Sequence, residues 1–227
     1  MLPDLYNKLS QDYSQLLEDA DDYDVNITEL ISHVQNYLIK EKNAWIKKNL
    51  IVVLNKSFQL VRCKTLRDYC LESTCADPES LFTSKYFLSL DQAIFLELIK
   101  RDELRVKEID VWIRLIEWGI YNTPRIEKMN ISDVNKFSDD DFVDLKRTLD
   151  SLIPHVRFYE ISPKDFYSKI HPFQKVLPQS LYEDVLSFLM ANTEPKYASL
   201  STNNGIGTRT ATRKHANTVP AKRNNKD

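Results

Sequence analysis

Glycine is scarce in this chain of 227 residues: there are 3, and Gly205 and Gly207 lie near the carboxyl end, which leaves Gly119 alone in the body. Loops that cradle phosphates need several glycines, because their backbone approaches the ligand closely and adopts positive φ. Nucleotide-binding loops of that kind are therefore excluded. No apolar run approaches the roughly 18 to 20 residues needed to span a bilayer. Cysteine is sparse too, and Cys63, Cys70 and Cys75 stand too far apart for a CxxC metal knuckle, with no histidine following at ligand spacing. They read as free thiols, with Cys63 and Cys70 seven apart on one helical face as small core residues. GxSxG, HExxH and EF-hand patterns are missing as well. His33, His155, His171 and His215 fall on separate predicted elements, His33 on the polar side of its helix, so each is expected to be solvated or singly hydrogen-bonded. The expectation is a protein without metal, cofactor or catalytic constellation, and thus not an enzyme.

What is present is ordinary globular material, 42% hydrophobic and 28% charged, enough for one domain and a tail. The net charge of −2 hides an asymmetry. From Lys196 onward seven lysines and arginines face one acid, Asp227, so the part before it carries about −8. An acidic body is a poor nucleic-acid surface. The amino terminus, MLPDLYNKLSQDYSQLLEDADD, is acidic and amphipathic where a secretory signal needs a basic start and an apolar centre, so the expected location is cytoplasmic, with the nucleus also open.

Helical periodicity dominates. Pro3 to Ala20 reads as a helix with Leu5, Leu9, Leu16 and Leu17 on a stripe, Pro3 being tolerated in the first turn. Val25 and Ile27 alternate as a short strand does, and a second helix starts near Thr28 with Leu30, Ile31, Val34, Tyr37 and Leu38 inside; Asn26 and Glu29 have capping-box spacing. Asn43 is placed to cap a helix reaching Leu54, with Trp45, Ile46, Leu50 and Val53 at core spacing. Thr65 to Ser73 continues helical, and Asp77-Pro78 opens a short helix to Phe82. Ser89 and Gln92 form a capping pair before a helix burying Ala93, Ile94, Leu98 and Ile99. Arg101, Asp102 and Glu103 make a solvated turn, and Ile109, Trp112, Ile113 and Ile116 form the buried face of the next helix, which Gly119 is expected to end in a left-handed cap. Glu108, in its first turn, suits a dipole or structural role. After a polar loop from Thr123 to Phe137, Ser138-Asp139-Asp140-Asp141 starts a helix with Phe142, Leu145, Leu149 and Leu152 inside, the acids serving the helix dipole rather than a metal. Ser162-Pro163 with Asp165, and Pro178 ahead of Leu181, Val185, Leu186 and Leu189, open the last two helices. From Ser199 to Asp227 the composition cannot bury enough apolar surface to order itself. Trp45, Trp112 and Trp118 suit interface anchors, although the spacing of Trp45 and Trp112 favours core.

Leu90, Leu98, Asp102, Leu104, Val106, Glu108, Val111 and Trp118 fall as they do in the BACK domain, and from Met1 to about Asn192 the chain resembles the fungal group of BTB-BACK proteins. HPFQKVLPQSLYEDV is similar to the end of that BACK region. The resemblance implies an all-α BACK-type helical bundle of stacked helix pairs, acting as an adaptor of cullin-three ubiquitin ligases. KLSQDYSQLLEDADDYDVNI looks like the opening of a BTB (POZ) domain, and ELISHVQNYLIKEKNAWIKKNL like its last helix and the entry to BACK. The elements between are absent, through a lost exon or natural shortening, and a strand at Val25 then has no sheet to join. The implied organisation is a remnant BTB segment at 1–27, the last BTB helix plus BACK at 28–192, and a disordered basic tail at 193–227, which resembles no TLDc domain. In such adaptors the first BACK helices, the 3-box, complete a groove that receives the cullin. The matching positions here are Val34, Leu38, Trp45, Leu50 and Phe58. The implied partners are proteins, a cullin and a ubiquitination substrate, with no small-molecule substrate and no membrane, and loss of the BTB dimer interface implies a monomer with weak or no cullin binding. The rival reading is a nucleic-acid or anionic-surface binder acting through the basic tail, where cations without interleaved aromatics give only weak, salt-dependent attraction.

Overall fold

The computed structural model describes residues 27–191 and 193–197. The helix expected at Pro3 to Ala20, the strand at Val25, the cap at Asn26, His215 and the tail from Ser199 lie outside the described residues. Among the described residues the secondary structure is all helix and tight helical turn, with no strand. The all-α bundle expected from periodicity and resemblance is what the chain forms over these residues. It divides into two compact units, one running to Phe95 and one from Leu96.

In the first unit, helix α1 (Ile27–Glu41) is followed by α2 (Asn43–Lys48), α3 (Leu50–Gln59), α4 (Lys64–Ala76) and the short α5 (Glu79–Phe82). Helix α4 packs on both α1 and α3. The single long helix expected from Asn43 to Leu54 is broken at Asn49, whose backbone (φ −116°, ψ 26°) leaves the helical region. Asn43 lies inside α2 rather than at its cap. Ile46, Leu50 and Val53 are buried as expected, but Trp45 is 52% exposed, which corrects its reading as core. Cys70 and Cys75 are buried free thiols, and burial pushes the Cys70 thiol up to about 12, so it packs as an inert small hydrophobe. Cys63 is only half-buried and precedes α4 rather than sharing its face. Phe82, Phe87 and Phe95 form an aromatic staircase with centroid spacings of 5.3 and 5.4 Å. Helix α6 (Gln92–Ile99) is capped by Asp91, whose Oδ1 accepts the Ala93 N–H at 2.8 Å. Ser89, expected there, donates instead to the Tyr86 carbonyl.

In the second unit, α7 (Glu108–Tyr121) packs on α8 (Asp139–Leu149), and α8 packs on the turn His171–Val176. The buried face of α7 is Val111, Trp112, Leu115, Ile116 and Trp118, rotated from the expected stripe, so that Ile109 and Ile113 are only half-buried. Gly119 does not end this helix. It sits inside it, where an added Cβ would stand 2.8 Å from Leu145 Cδ1. Part of the expected loop at 123–137 is a turn, Ile131–Lys136, with a capping box between Asn130 and Asp133. Helix α8 starts as expected: Ser138 Oγ accepts the Asp141 N–H at 3.2 Å, and Asp141 returns a bond to the Ser138 N–H at 2.8 Å. Arg125 reaches Asp140, Asp141 and Asp144, so the acidic run is held by an arginine. Ser162 caps only one turn, α9 (Pro163–Asp165), before a π turn at Phe166–Ile170. Helix α10 (Gln179–Ala191) buries Leu181 and Val185.

Candidate interaction surface

Buried Gln35 sets the geometry of the first unit. Its Nε2 donates to the Ile31 carbonyl at 3.3 Å and to the Arg62 carbonyl at 3.1 Å, and its Oε1 accepts the Leu66 N–H at 3.0 Å. One amide thus ties α1 to the turn between α3 and α4. Gln35→Leu keeps the volume but strands the Leu66 donor in a buried position, and should cost about 1–3 kcal/mol in urea unfolding. A loss under about 0.5 kcal/mol would mean that the turn is held by packing alone. Asn55 does similar work further on, donating to the Ser89 carbonyl at 3.2 Å and accepting the Asp91 N–H at 3.2 Å.

With the inner side of α2 and α3 committed to packing, the outer side is displayed. Trp45 and Val52 are each 52% exposed, and in the turn that follows Leu60 is 55% and Val61 88% exposed. Asn49 supports the bend between the two helices by donating from Nδ2 to the Trp45 carbonyl at 2.8 Å. Along this stretch of the sequence the charge is of one sign. From Lys42 to Arg67 the sequence holds seven lysines and arginines and no acid. Lys47, Lys48, Lys56 and Arg62 are exposed, and none of them has a carboxylate partner among the described residues. Lys64 pairs with Asp68, and Arg67 lies over the Phe58 ring at 5.0 Å. This Trp45 ridge joins exposed aromatic and aliphatic groups to cations along one stretch of the chain, a composition that suits protein docking.

Of the five positions implied by the resemblance, Trp45 is the one that stands out to solvent. Val34, Leu38 and Phe58 are half-buried, and Leu50 is buried at 6% exposure, where it offers a partner no surface. Val52, Leu60 and Val61 were not among the expected positions, and neither was the cationic stretch. Its signal was open in the letters, a run from Lys42 to Arg67 free of Asp and Glu inside an acidic body.

The second unit carries several buried polar ties. Glu108 is buried and accepts the Arg157 N–H at 3.2 Å, which gives it a structural role. The Arg157 side chain, 9% exposed, pairs with Asp102, which stays solvated at 77% exposure, as expected of the turn, while holding the arginine. Buried Asp184 accepts from the Tyr159 hydroxyl and from the Lys196 N–H at 3.0 Å, anchoring the residues after α10. Burial and the Asp184 bond raise the Tyr159 hydroxyl well above its ordinary range, so it remains a donor. His171 Nδ1 lies 2.7 Å from the Tyr182 hydroxyl, and its ring stacks on Tyr167 at 5.3 Å. His33 is exposed. Among the described residues no group of three His, Cys, Asp or Glu side chains could hold a metal.

His155 is depressed below the ordinary histidine value, first by burial and then by the Lys100 charge. The fold therefore favours the neutral ring. As pH falls through about 6.5 the unfolded chain takes up a proton that the folded chain resists, so stability present above that pH is lost on acidification. His155→Gln should flatten the thermal-melting profile between about pH 7 and 5. An unchanged slope would assign the acid sensitivity to other groups.

Residues 51–134, somewhat over a third of the chain, match the domain family described as BACK, BTB And C-terminal Kelch. No match is found among the curated proteins or among the solved structures.

Proposed function

We infer that the chain is a non-catalytic protein-interaction scaffold of the BTB-BACK adaptor type, related to the fungal members of that group. The match over 51–134 supports the scaffold class, since BACK domains serve adaptors of cullin-three ubiquitin ligases. The carrying observation is the ridge of Trp45, Val52, Leu60 and Val61, apolar and displayed where a packed core residue would be hidden. Function is then placement: stacked helices hold a bound protein at a fixed distance from a second one, raising its effective concentration. In the adaptor arrangement, α1 to α3 supply the BACK half of a groove whose other half belongs to a BTB domain. With most of that domain missing between the amino-terminal segment and α1, the chain is a monomer and grips a cullin weakly or not at all.

Calorimetry with the amino-terminal region of a cullin-three protein tests this. The chain alone should bind more weakly than about 10 µM, and the same chain with a complete BTB domain restored ahead of α1 should bind at least about tenfold tighter. Trp45→Asp should remove the gain. Tight binding by the chain alone, or no gain on restoring the BTB half, would remove the half-groove reading.

A further inference from the structure

Lys47, Lys48, Lys56 and Arg62, on and just after α2 and α3, have no carboxylate partner among the described residues, and the chain itself holds a candidate one. Met1 to Asp24 contains seven acids and a single lysine, Lys8, with Leu5, Leu9, Leu16 and Leu17 at helical spacing. Opposite it, Lys42 to Arg67 carries seven cations and no acid around Trp45 and Val52. These two stretches have the most one-sided charge in the acidic body, and both are amphipathic. An acidic helix with a leucine stripe is the chemistry that would bury Trp45 and Val52 while neutralising Lys47, Lys48 and Lys56. Reach is no obstacle, because the leucine stripe ends at Leu17 and the nine residues from there to α1 span on the order of 30 Å when extended, more than the roughly 22 Å length of the 15-residue α1. The tether also sets a high effective concentration, against which any external acidic partner must compete.

We propose that the Trp45 ridge is the docking surface of the chain's own acidic amino-terminal segment, Met1–Asp24, which masks it against other partners. The inference rests on the same ridge as the scaffold reading but requires no cullin and no BTB domain. It makes the ridge a regulated surface: a partner gains access when the segment is displaced by salt, by a stronger acidic ligand or by pairing elsewhere.

Acrylamide quenching of tryptophan fluorescence in the full chain reads this directly. Trp112 and Trp118 are buried, so the quenchable emission belongs to Trp45. Acrylamide is neutral, and its approach is indifferent to local charge. Reversing three acids remote in sequence from the ridge, by Asp12→Lys, Glu18→Lys and Asp19→Lys, should raise the quenching constant about twofold or more, and Lys47→Glu with Lys48→Glu should do the same. Combining the two sets restores complementarity and should return the constant to that of the unaltered chain. Circular dichroism confirms that each variant keeps its helices. An unchanged constant after acid reversal, or no recovery in the combined variant, overturns the proposal. A response that grows with protein concentration overturns the assignment in cis, because the segment of a second copy would then be the occupant. With no partner in the experiment, its failure leaves the scaffold reading standing.

Discussion

Trp112→Ala should lower the unfolding free energy by about 3–5 kcal/mol, among the largest losses available to a single core substitution here. The indole has no exposed surface and meets Phe158 edge-on, with centroids 5.5 Å apart and planes at 65°. Its Nε1 donates to the Lys169 carbonyl at 3.1 Å, tying α7 to the π turn at Phe166–Ile170. Truncation therefore removes ring burial, an aromatic pair and a cross-element hydrogen bond together. Trp112→Phe separates these contributions, since it keeps an aromatic ring and loses the donor. A loss of about 1–2 kcal/mol is expected, because the carbonyl of exposed Lys169 can turn to water. Urea unfolding followed by circular dichroism measures both. If Trp112→Phe were as damaging as Trp112→Ala, the hydrogen bond to Lys169 would hold this half of the unit, and ring packing would be secondary.

What was legible in the sequence was local. The start of α8 was readable because a capping box is written within four residues, Ser138 to Asp141, and needs no partner from elsewhere. The buried positions of α8 followed from period alone, and Phe142, Leu145 and Leu149 are all inside. The exposure of Trp45 and the burial of Gln35 are not legible for the complementary reason. Spacing says which residues share a helix face but not which way the face points: within α2 Ile46 is buried while Trp45 beside it is exposed, and the single face expected from Asn43 to Leu54 is interrupted at Asn49. Gln35 reads as a polar residue on an amphipathic helix, yet it is buried. Its partners are the carbonyl of Arg62 and the N–H of Leu66, 27 and 31 residues away, and no local pattern announces them.

The candidate surface was partly legible by the same logic. The resemblance directed attention to α1, α2 and α3, and within them to Trp45. Periodicity pointed to the inner residues, so the displayed ones, Val52, Leu60 and Val61, were overlooked: an apolar letter is by default assigned to a core. The charge run from Lys42 to Arg67 needed no structure at all, only a count over the right window, and averaging the whole acidic body concealed it.

Gly119→Val should cost about 3 kcal/mol or more, and Gly119→Ala about 1 kcal/mol net, although alanine is the better helix former by about that amount. On an exposed helix the alanine would be a gain. Here a Cβ would stand 2.8 Å from both Leu145 Cδ1 and Leu149 Cδ2, closer than carbon atoms in contact allow. The methyl ends of leucines can rotate away, but both side chains are fully buried and have only packed neighbours to rotate into. The close approach of α7 and α8 is reinforced nearby, where Thr123 Oγ1 donates to the Gly119 carbonyl at 2.7 Å and lies 2.8 Å from Thr148 Oγ1. A second substitution tests the cause. Leu149→Ala alone should cost about 2–5 kcal/mol by leaving a cavity, and part of that cavity is where the alanine methyl at position 119 would go. The double variant should therefore be more stable than the sum of the two losses by at least about 0.5 kcal/mol. Strict additivity would show that Leu149 is not what the glycine makes room for, and a stabilising Gly119→Ala would show that the two helices can separate at no cost.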